Sequence, residues 1–143
     1  MEKTEALAGL SILVVEDEVM VGMMLEDMLH DFGCNVEVVP SVEKALSAIR
    51  GSVPDGVLLD MNLHGQKTTA VAEELVSKSV PFLLVTGYGR GDDDPPLFKS
   101  APRLQKPFTE EALGRRMLET FADRAERGRT MNMLAAHVKD RPA

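Results

Sequence analysis

The chain is predicted to fold as an α/β domain, a five-stranded parallel sheet with helices on both faces and a weak or short fourth helix. Two observations carry this expectation. Short apolar runs recur along the sequence and end abruptly in polar or turn residues, as strands buried on both faces do. Segments of helical period lie between them, bounded by capping residues and glycines. Alternation of this kind calls for right-handed crossovers, and it puts a crevice above the carboxyl ends of the strands, where open α/β sheets bind ligands.

Each element has its own signal. After a polar lead, Leu10-Ser11-Ile12-Leu13-Val14-Val15 is a β-branched run that stops at Glu16-Asp17-Glu18. Residues 18 to 32 follow a helical period, with Val21, Leu25, Met28, Leu29 and Phe32 on one face and Gly33 as the stop. Residues 35 to 39 alternate and predict a more exposed strand; Ser41 then caps a helix through Ala45, Leu46 and Ile49 that ends at Gly51. The run Val57-Leu58-Leu59 leads into Asp60, and a helix is expected from about Gln66 to Lys78, with Ala70, Val71, Leu75 and Val76 inward. Pro81-Phe82-Leu83-Leu84-Val85 is a buried strand that leaves through Thr86-Gly87. From Gly89 to Pro102 the Asp and Pro content allows at most one short helix. A brief strand at residues 103 to 105 precedes Lys106-Pro107, and Thr109 caps a last helix through Leu113, Met117, Leu118 and Phe121. Beyond Arg124, Met131, Leu134, Ala135 and Val138 keep a helical spacing, so this stretch either extends that helix or re-enters as a short one. The expected organisation is an N-terminal tail (1–8), one domain (9–125) and a C-terminal extension (126–143) with no separate output domain.

Composition narrows the function. With 44% hydrophobic and 27% charged residues the chain is an ordinary globular sequence rather than a disordered one. It has no long apolar run and no leader, so neither a membrane span nor a signal peptide is expected. The single Cys34 excludes an internal disulfide and makes a reducing cytoplasm the expected compartment. Residues 1–102 carry 17 acids against 7 Lys and Arg, whereas residues 103–143 carry 6 against 9. Nucleic-acid binding by the body is therefore not expected, since phosphate contacts need clustered cations.

Four strand exits send Glu16 and Asp17, Asp60, Thr86 and Lys106 to one rim. Close carboxylates repel one another, so such a site either raises a pKa or binds a hard cation, and an oxygen-only donor set suits Mg2+. A carboxylate beside that ion can attack an activated phosphoryl group, with an ammonium spreading the charge that develops. Asp60 is the expected nucleophile, Lys106 the ammonium and Thr86 a hydroxyl donor; Gly87 leaves space for the incoming group. Each residue alone also has a plain structural role, as an N-cap, a turn or the start of a helix. Met20 and Met23 lie off the buried face of the first helix, as core filler or as a docking surface for a partner.

Taken together, Glu16-Asp17, Asp60-Met61-Asn62, Thr86-Gly87 and Lys106-Pro107 resemble the motifs of a response-regulator receiver domain of two-component signalling, with the flavodoxin-like receiver fold, over roughly residues 9 to 125. The resemblance implies that Asp60 accepts the phosphoryl group, and that Asp17, Asp60 and the backbone carbonyl of Asn62 hold Mg2+ with Glu16 assisting through water. It also implies that Lys106 and Thr86 read the phosphoryl group and that the Lys106–Pro107 bond is cis. Residues 81 to 89 further resemble the stand-alone subgroup called FAT GUY, with Leu84 and Val85 in place of its Phe and Ala. Many receivers have an aromatic switch residue three positions before the lysine, where this chain has Arg103, so Tyr88 is the candidate substitute and joins Thr86 and Gly87 as a switch residue. Tyr88 is also expected to shield the acyl phosphate from water.

The resulting expectation is a single-domain response regulator, not an enzyme beyond its own phosphorylation and dephosphorylation. It would take a phosphoryl group from a histidine kinase or a phosphotransfer protein, for which Met20 and Met23 are candidate docking contacts, and signal by protein binding or onward phosphotransfer. Two alternatives stand beside it: an aspartate-nucleophile phosphatase, which usually needs a second acid where this chain has Asn62, and a phosphorylation-independent scaffold.

Overall fold

A computed structural model of the chain describes residues 4–87 and 94–139, with side chains as far as Arg124. The elements alternate as the sequence predicts: β1 (Ser11–Val15), α1 (Val19–Asp31), β2 (Asn35–Val39), α2 (Val42–Gly51) and β3 (Gly56–Leu59). A small hairpin of β4 (Asn62–Leu63) and β5 (Gln66–Lys67) follows, then α3 (Thr69–Ser77), β6 (Phe82–Thr86), α4 (Pro96–Lys99), β7 (Arg103–Gln105) and α5 (Glu110–Lys139). The main sheet is parallel throughout, in the order β2-β1-β3-β6-β7.

Strand periodicity divides the interior into two cores. Leu13, Val15, Val57, Leu59 and Leu84 face α2, α3 and α4, where they meet Ala45, Ile49, Val71, Leu75 and Phe98. Their neighbours Ile12, Val14, Leu58, Leu83, Val85 and Leu104 face α1 and α5, against Leu25, Leu29, Leu113, Met117 and Phe121. Both faces of β3 are fully covered, which is why its sequence reads as continuous apolar residues. β2 is one of the two edge strands, and only Val39 of it is buried.

Local signals behave as their chemistry requires. Gly33 takes a φ of 84°, and Cys34 N–H donates to the carbonyl of Leu29 at 3.0 Å, closing α1 with a left-handed residue. Ser41 Oγ accepts Lys44 N–H at 3.1 Å, and Thr109 Oγ1 accepts Ala112 N–H at 3.1 Å.

Three expectations need correction, and one open alternative is decided. The lead, assigned to a tail, forms a 3-10 turn at Thr4–Leu7, with Leu7 fully buried in the α1–α5 core. The helix placed from Gln66 begins only at Thr69, because residues 62–67 form the hairpin around a two-residue turn. With that start, Val71, Ala72 and Leu75 point inward, and Ala70 and Val76 are exposed. Finally, of the two courses left open for the tail, α5 simply continues to Lys139, since one glycine costs a helix only about 1 kcal/mol.

Gly56 lies directly beneath the Phe121 ring: a Cβ built on it would sit 2.5 Å from Phe121 Cε1, and Phe121 is fully buried. Gly56→Ala is expected to cost about 1–3 kcal/mol through overpacking, measured as a lower urea midpoint with an unchanged slope.

Candidate functional site

The ladder bonds of the sheet continue one residue past each strand and deliver the polar residues to a common rim. Glu16 N–H donates to Val39 O at 3.0 Å, Asp60 N–H to Val15 O at 3.1 Å and Lys106 N–H to Thr86 O at 2.7 Å. Glu16, Asp17 and Asp60 consequently place carboxylate oxygens within 4.8 Å of one another. The Lys106 ammonium reaches across the sheet to Glu16 Oε1 at 2.6 Å and to Asp60 Oδ2 at 3.4 Å. Thr86 is buried at the end of β6, and Gly87 beside it is exposed, with open space where a Cβ would stand. The Lys106–Pro107 peptide is cis.

Asp60 is held from both sides. Asn62 N–H donates to its Oδ1 at 3.2 Å, and the fully buried Thr68 hydroxyl donates to its carbonyl at 2.6 Å. Thr68 precedes α3 without capping it, because its hydroxyl is committed to Asp60. In the hairpin the residues flanking the turn, Leu63 and Gln66, form the ladder-bonded pair, and Thr68 N–H donates to Met61 O at 3.3 Å. Asn62 lies between those pairs, so the ladder does not consume its carbonyl.

The electrostatics follow from crowding. Burial, then contact with the Asp60 carboxylate, pushes Glu16 from 4.5 up to about 7, against the opposing pull of Lys106. Burial also works against the charge on Lys106, but its hydrogen bond to Glu16 and the charges of Asp60 and Glu16 outweigh that and hold it above the ordinary lysine range. Glu16 Oε2 is buried without a hydrogen-bond partner among the described residues. Three carboxylates against one ammonium leave about two negative charges when all are ionised. An oxygen-only donor set with that deficit and an unused buried oxygen fits a hard divalent cation.

Sequence reasoning brought Glu16, Asp17, Asp60, Thr86 and Lys106 to one rim, and the structure places them there. Met20 and Met23 are 78% and 57% exposed on α1 beside the acids, so they are not core filler. Tyr88 lies outside the described residues. Two contributors were missed. Thr68 has no sequence signal of its own, whereas His64-Gly65 is a turn pair whose hairpin meaning was available. His64 donates its backbone N–H to Asp17 Oδ2 at 2.7 Å. Arg103, at the position that is aromatic in many receivers, is buried and ties β7 to α4: Nη2 donates to Asp94 Oδ2 at 3.0 Å and to Phe98 O at 2.8 Å. Its Nε and Nη1 are buried without partners among the described residues.

A sheet of this order with acids at its central exits and a lysine at the exit of β7 defines a class of protein, and comparison with known proteins agrees. Residues 12–117 match the family model for the response regulator receiver domain. The chain belongs to that family. Among solved structures it is similar to SdrG from Sphingomonas melonis Fr1, at 38% identity and a TM-score of 0.67, covering 76% of this chain and 93% of that one. It is also similar to the receiver domain of the sensor histidine kinase PA1611 from Pseudomonas aeruginosa PAO1, which has a magnesium ion coordinated in its active site cleft. That likeness has 26% identity and a TM-score of 0.71, over 80% of this chain and 99% of that one. Among curated proteins, the two-component response regulator PhoP of Pseudomonas aeruginosa is 34% identical over 86 residues, 59% of this chain. The match spans 38% of that relative's length, and a match to the transcriptional regulatory protein ZraR of Escherichia coli spans 19%.

The raised Glu16 carboxyl has a pH consequence. The unfolded chain loses this proton near 4.5 and the folded chain near 7, so in that window the folded state binds more protons. The associated stability is complete below about 4.5 and is lost as pH rises through about 7. Metal-free protein is expected to melt several degrees lower at pH 8 than at pH 5 from this source, with Glu16→Gln flattening the difference in a calorimetric pH series.

Proposed function

We propose that this domain accepts a phosphoryl group on Asp60 from the phosphohistidine of a histidine kinase or phosphotransfer protein, and signals by protein binding or onward phosphotransfer. The observation that carries this is the Lys106 ammonium suspended between Glu16 and Asp60 at the open end of the sheet. Glu16, Asp17, Asp60 and the Asn62 carbonyl would hold Mg2+, which when bound offsets the charge of the acids and of the incoming phosphoryl oxygens. An Asp60 carboxylate oxygen forms the new O–P bond as the N–P bond of the donor breaks and its imidazole leaves. Lys106, already directed at Asp60, meets the charge on one phosphoryl oxygen, and the Thr86 hydroxyl donates to another.

Several features support this reading over a phosphatase or a scaffold. Asn62 cannot serve as the general acid that an aspartate-based phosphatase needs, because a carboxamide has no acidic proton to give; what it supplies is its backbone N–H, which orients Asp60. A scaffold has no use for the buried Glu16 carboxyl, whose desolvation is costly unless the site binds charge. Exposed Val19, Met20 and Met23 next to the acids give a histidine-bearing partner an apolar place to dock. Among the described residues no helix is long and apolar enough to cross a membrane, in keeping with a cytoplasmic protein. The motif at residues 81 to 89 supports a stand-alone regulator of the FAT GUY kind, which does no chemistry beyond its own phosphorylation and dephosphorylation.

Incubation with Mg2+ and acetyl phosphate is expected to add one phosphoryl mass to the wild type, and none to Asp60→Asn or to a Mg2+-free sample. An adduct that persists in Asp60→Asn overturns the assignment. In a separate assay, Met20→Ala/Met23→Ala is expected to slow transfer from a phosphohistidine protein about tenfold, the equivalent of about 1.4 kcal/mol of docking, while leaving the acetyl phosphate reaction unchanged. Equal transfer rates would remove the methionines from the docking surface.

A further inference from the structure

The hairpin after Asp60 is unexplained by the phosphoryl chemistry, yet it touches two of the three acids. It springs from β3, is anchored by Leu63, which is 2% exposed, and turns through His64 and Gly65, whose φ values are 49° and 81°. Glycine adopts that region freely, but a histidine does so only at a cost in free energy, so something must hold it there. What His64 gains is Asp17: its backbone N–H donates to Asp17 Oδ2 at 2.7 Å, and its Nδ1 lies 3.2 Å from the same oxygen. The contact joins the loop after β1 to the loop after β3, since residues 17 and 64 have no other link in sequence or in the ladder.

The site needs such a contact. Repulsion among Glu16, Asp17 and Asp60 favours turning one carboxylate out to water. The Glu16 carboxylate is locked inside by Lys106 and that of Asp60 by Lys106 and the Asn62 N–H, while Thr68 fixes the Asp60 backbone. Asp17 has no bond to Lys106, and the only hydrogen bond recorded to its side chain among the described residues comes from the hairpin. A backbone N–H at 2.7 Å from a carboxylate is a short, charge-assisted bond, and it points in a fixed direction whatever the protonation state of the imidazole.

We infer that His64 is a positioning residue for the metal site: the left-handed hairpin turn exists to aim its backbone N–H at Asp17, which keeps that carboxylate facing Glu16 and Asp60. The inference deepens the reading of the acid cluster given above, and it assigns the effect to the amide rather than to the imidazole. Its substitution pattern is therefore unusual. His64→Gly keeps the N–H and relieves the turn, and should match the wild type. His64→Pro removes the N–H and cannot take a positive φ. His64→Val keeps the N–H but resists that φ.

The experiment is a Mn2+ titration of the full chain, read by electron paramagnetic resonance, with amide NMR on the same samples. His64→Gly is expected to stay within about threefold of the wild-type Kd, and His64→Pro and His64→Val to weaken it by about tenfold or more, as loss of a ligand's outer support does. The residue 64 amide proton should resonate far downfield in the wild type and His64→Gly, and move upfield in Asp17→Ala without any metal. Wild-type affinity in His64→Pro or His64→Val, or an amide unmoved by Asp17→Ala, overturns the clamp. Should the proline variant fail to fold, the valine variant and the amide shift still decide. Absence of Mn2+ binding in the wild type would instead defeat the reading of the acid cluster, while the amide shift tests the clamp on its own.

Discussion

Mutual repulsion of three carboxylates at the open end of a parallel sheet is the constraint to which the rest of this domain answers. The sheet creates the problem, because parallel strands in register release their next residues side by side. Glu16 and Asp60 are each anchored by an N–H bond to a neighbouring strand and cannot retreat along the chain. Lys106 answers from the far side of the sheet, and its own rigid placement comes from a backbone bond to Thr86. The three longest-range polar contacts at the rim therefore do electrostatic work that the apolar cores beneath cannot do.

Much of this was legible in the sequence, and for a physical reason. Strands covered on both faces must be apolar at every position, so the polar residue that ends each run marks the rim without any knowledge of the fold. That logic located Glu16, Asp17, Asp60, Thr86 and Lys106. It does not reach elements too short to have a period. The strands β4 and β5 have two residues each, and Thr68 was absorbed into an expected helix whose start fell three residues early. The inward face was also misjudged by a fraction of a turn, since Ala72 is buried where Ala70 and Val76 were expected to be. Leu7 was lost because a single apolar residue in a polar lead carries no pattern, although it fills a pocket bounded by α1 and α5.

Arg103 shows how a departure from a family pattern is absorbed. An aromatic side chain needs only apolar neighbours, whereas a buried guanidinium needs acceptors; Asp94, just before α4, supplies one and the Phe98 carbonyl within α4 the other. The remaining Nε and Nη1 donors are left without partners among the described residues, so β7 and α4 are joined by a pairing that is strong in direction but incomplete. Sequence comparison alone registers the substitution as a loss of the aromatic; the structure shows an ion pair in its place.

The unbroken course of α5 has a mechanical meaning. At 1.5 Å of rise per residue a helix from Glu110 to Lys139 is a rod of about 45 Å. Its first half is seated on the sheet through Leu113, Met117 and Phe121. A tilt of about 5° about the Phe121 seat displaces the far end by about 2 Å, because the arm beyond it is about 27 Å long. Length alone thus makes the far end of the rod the place where any small tilt of the seated half is largest.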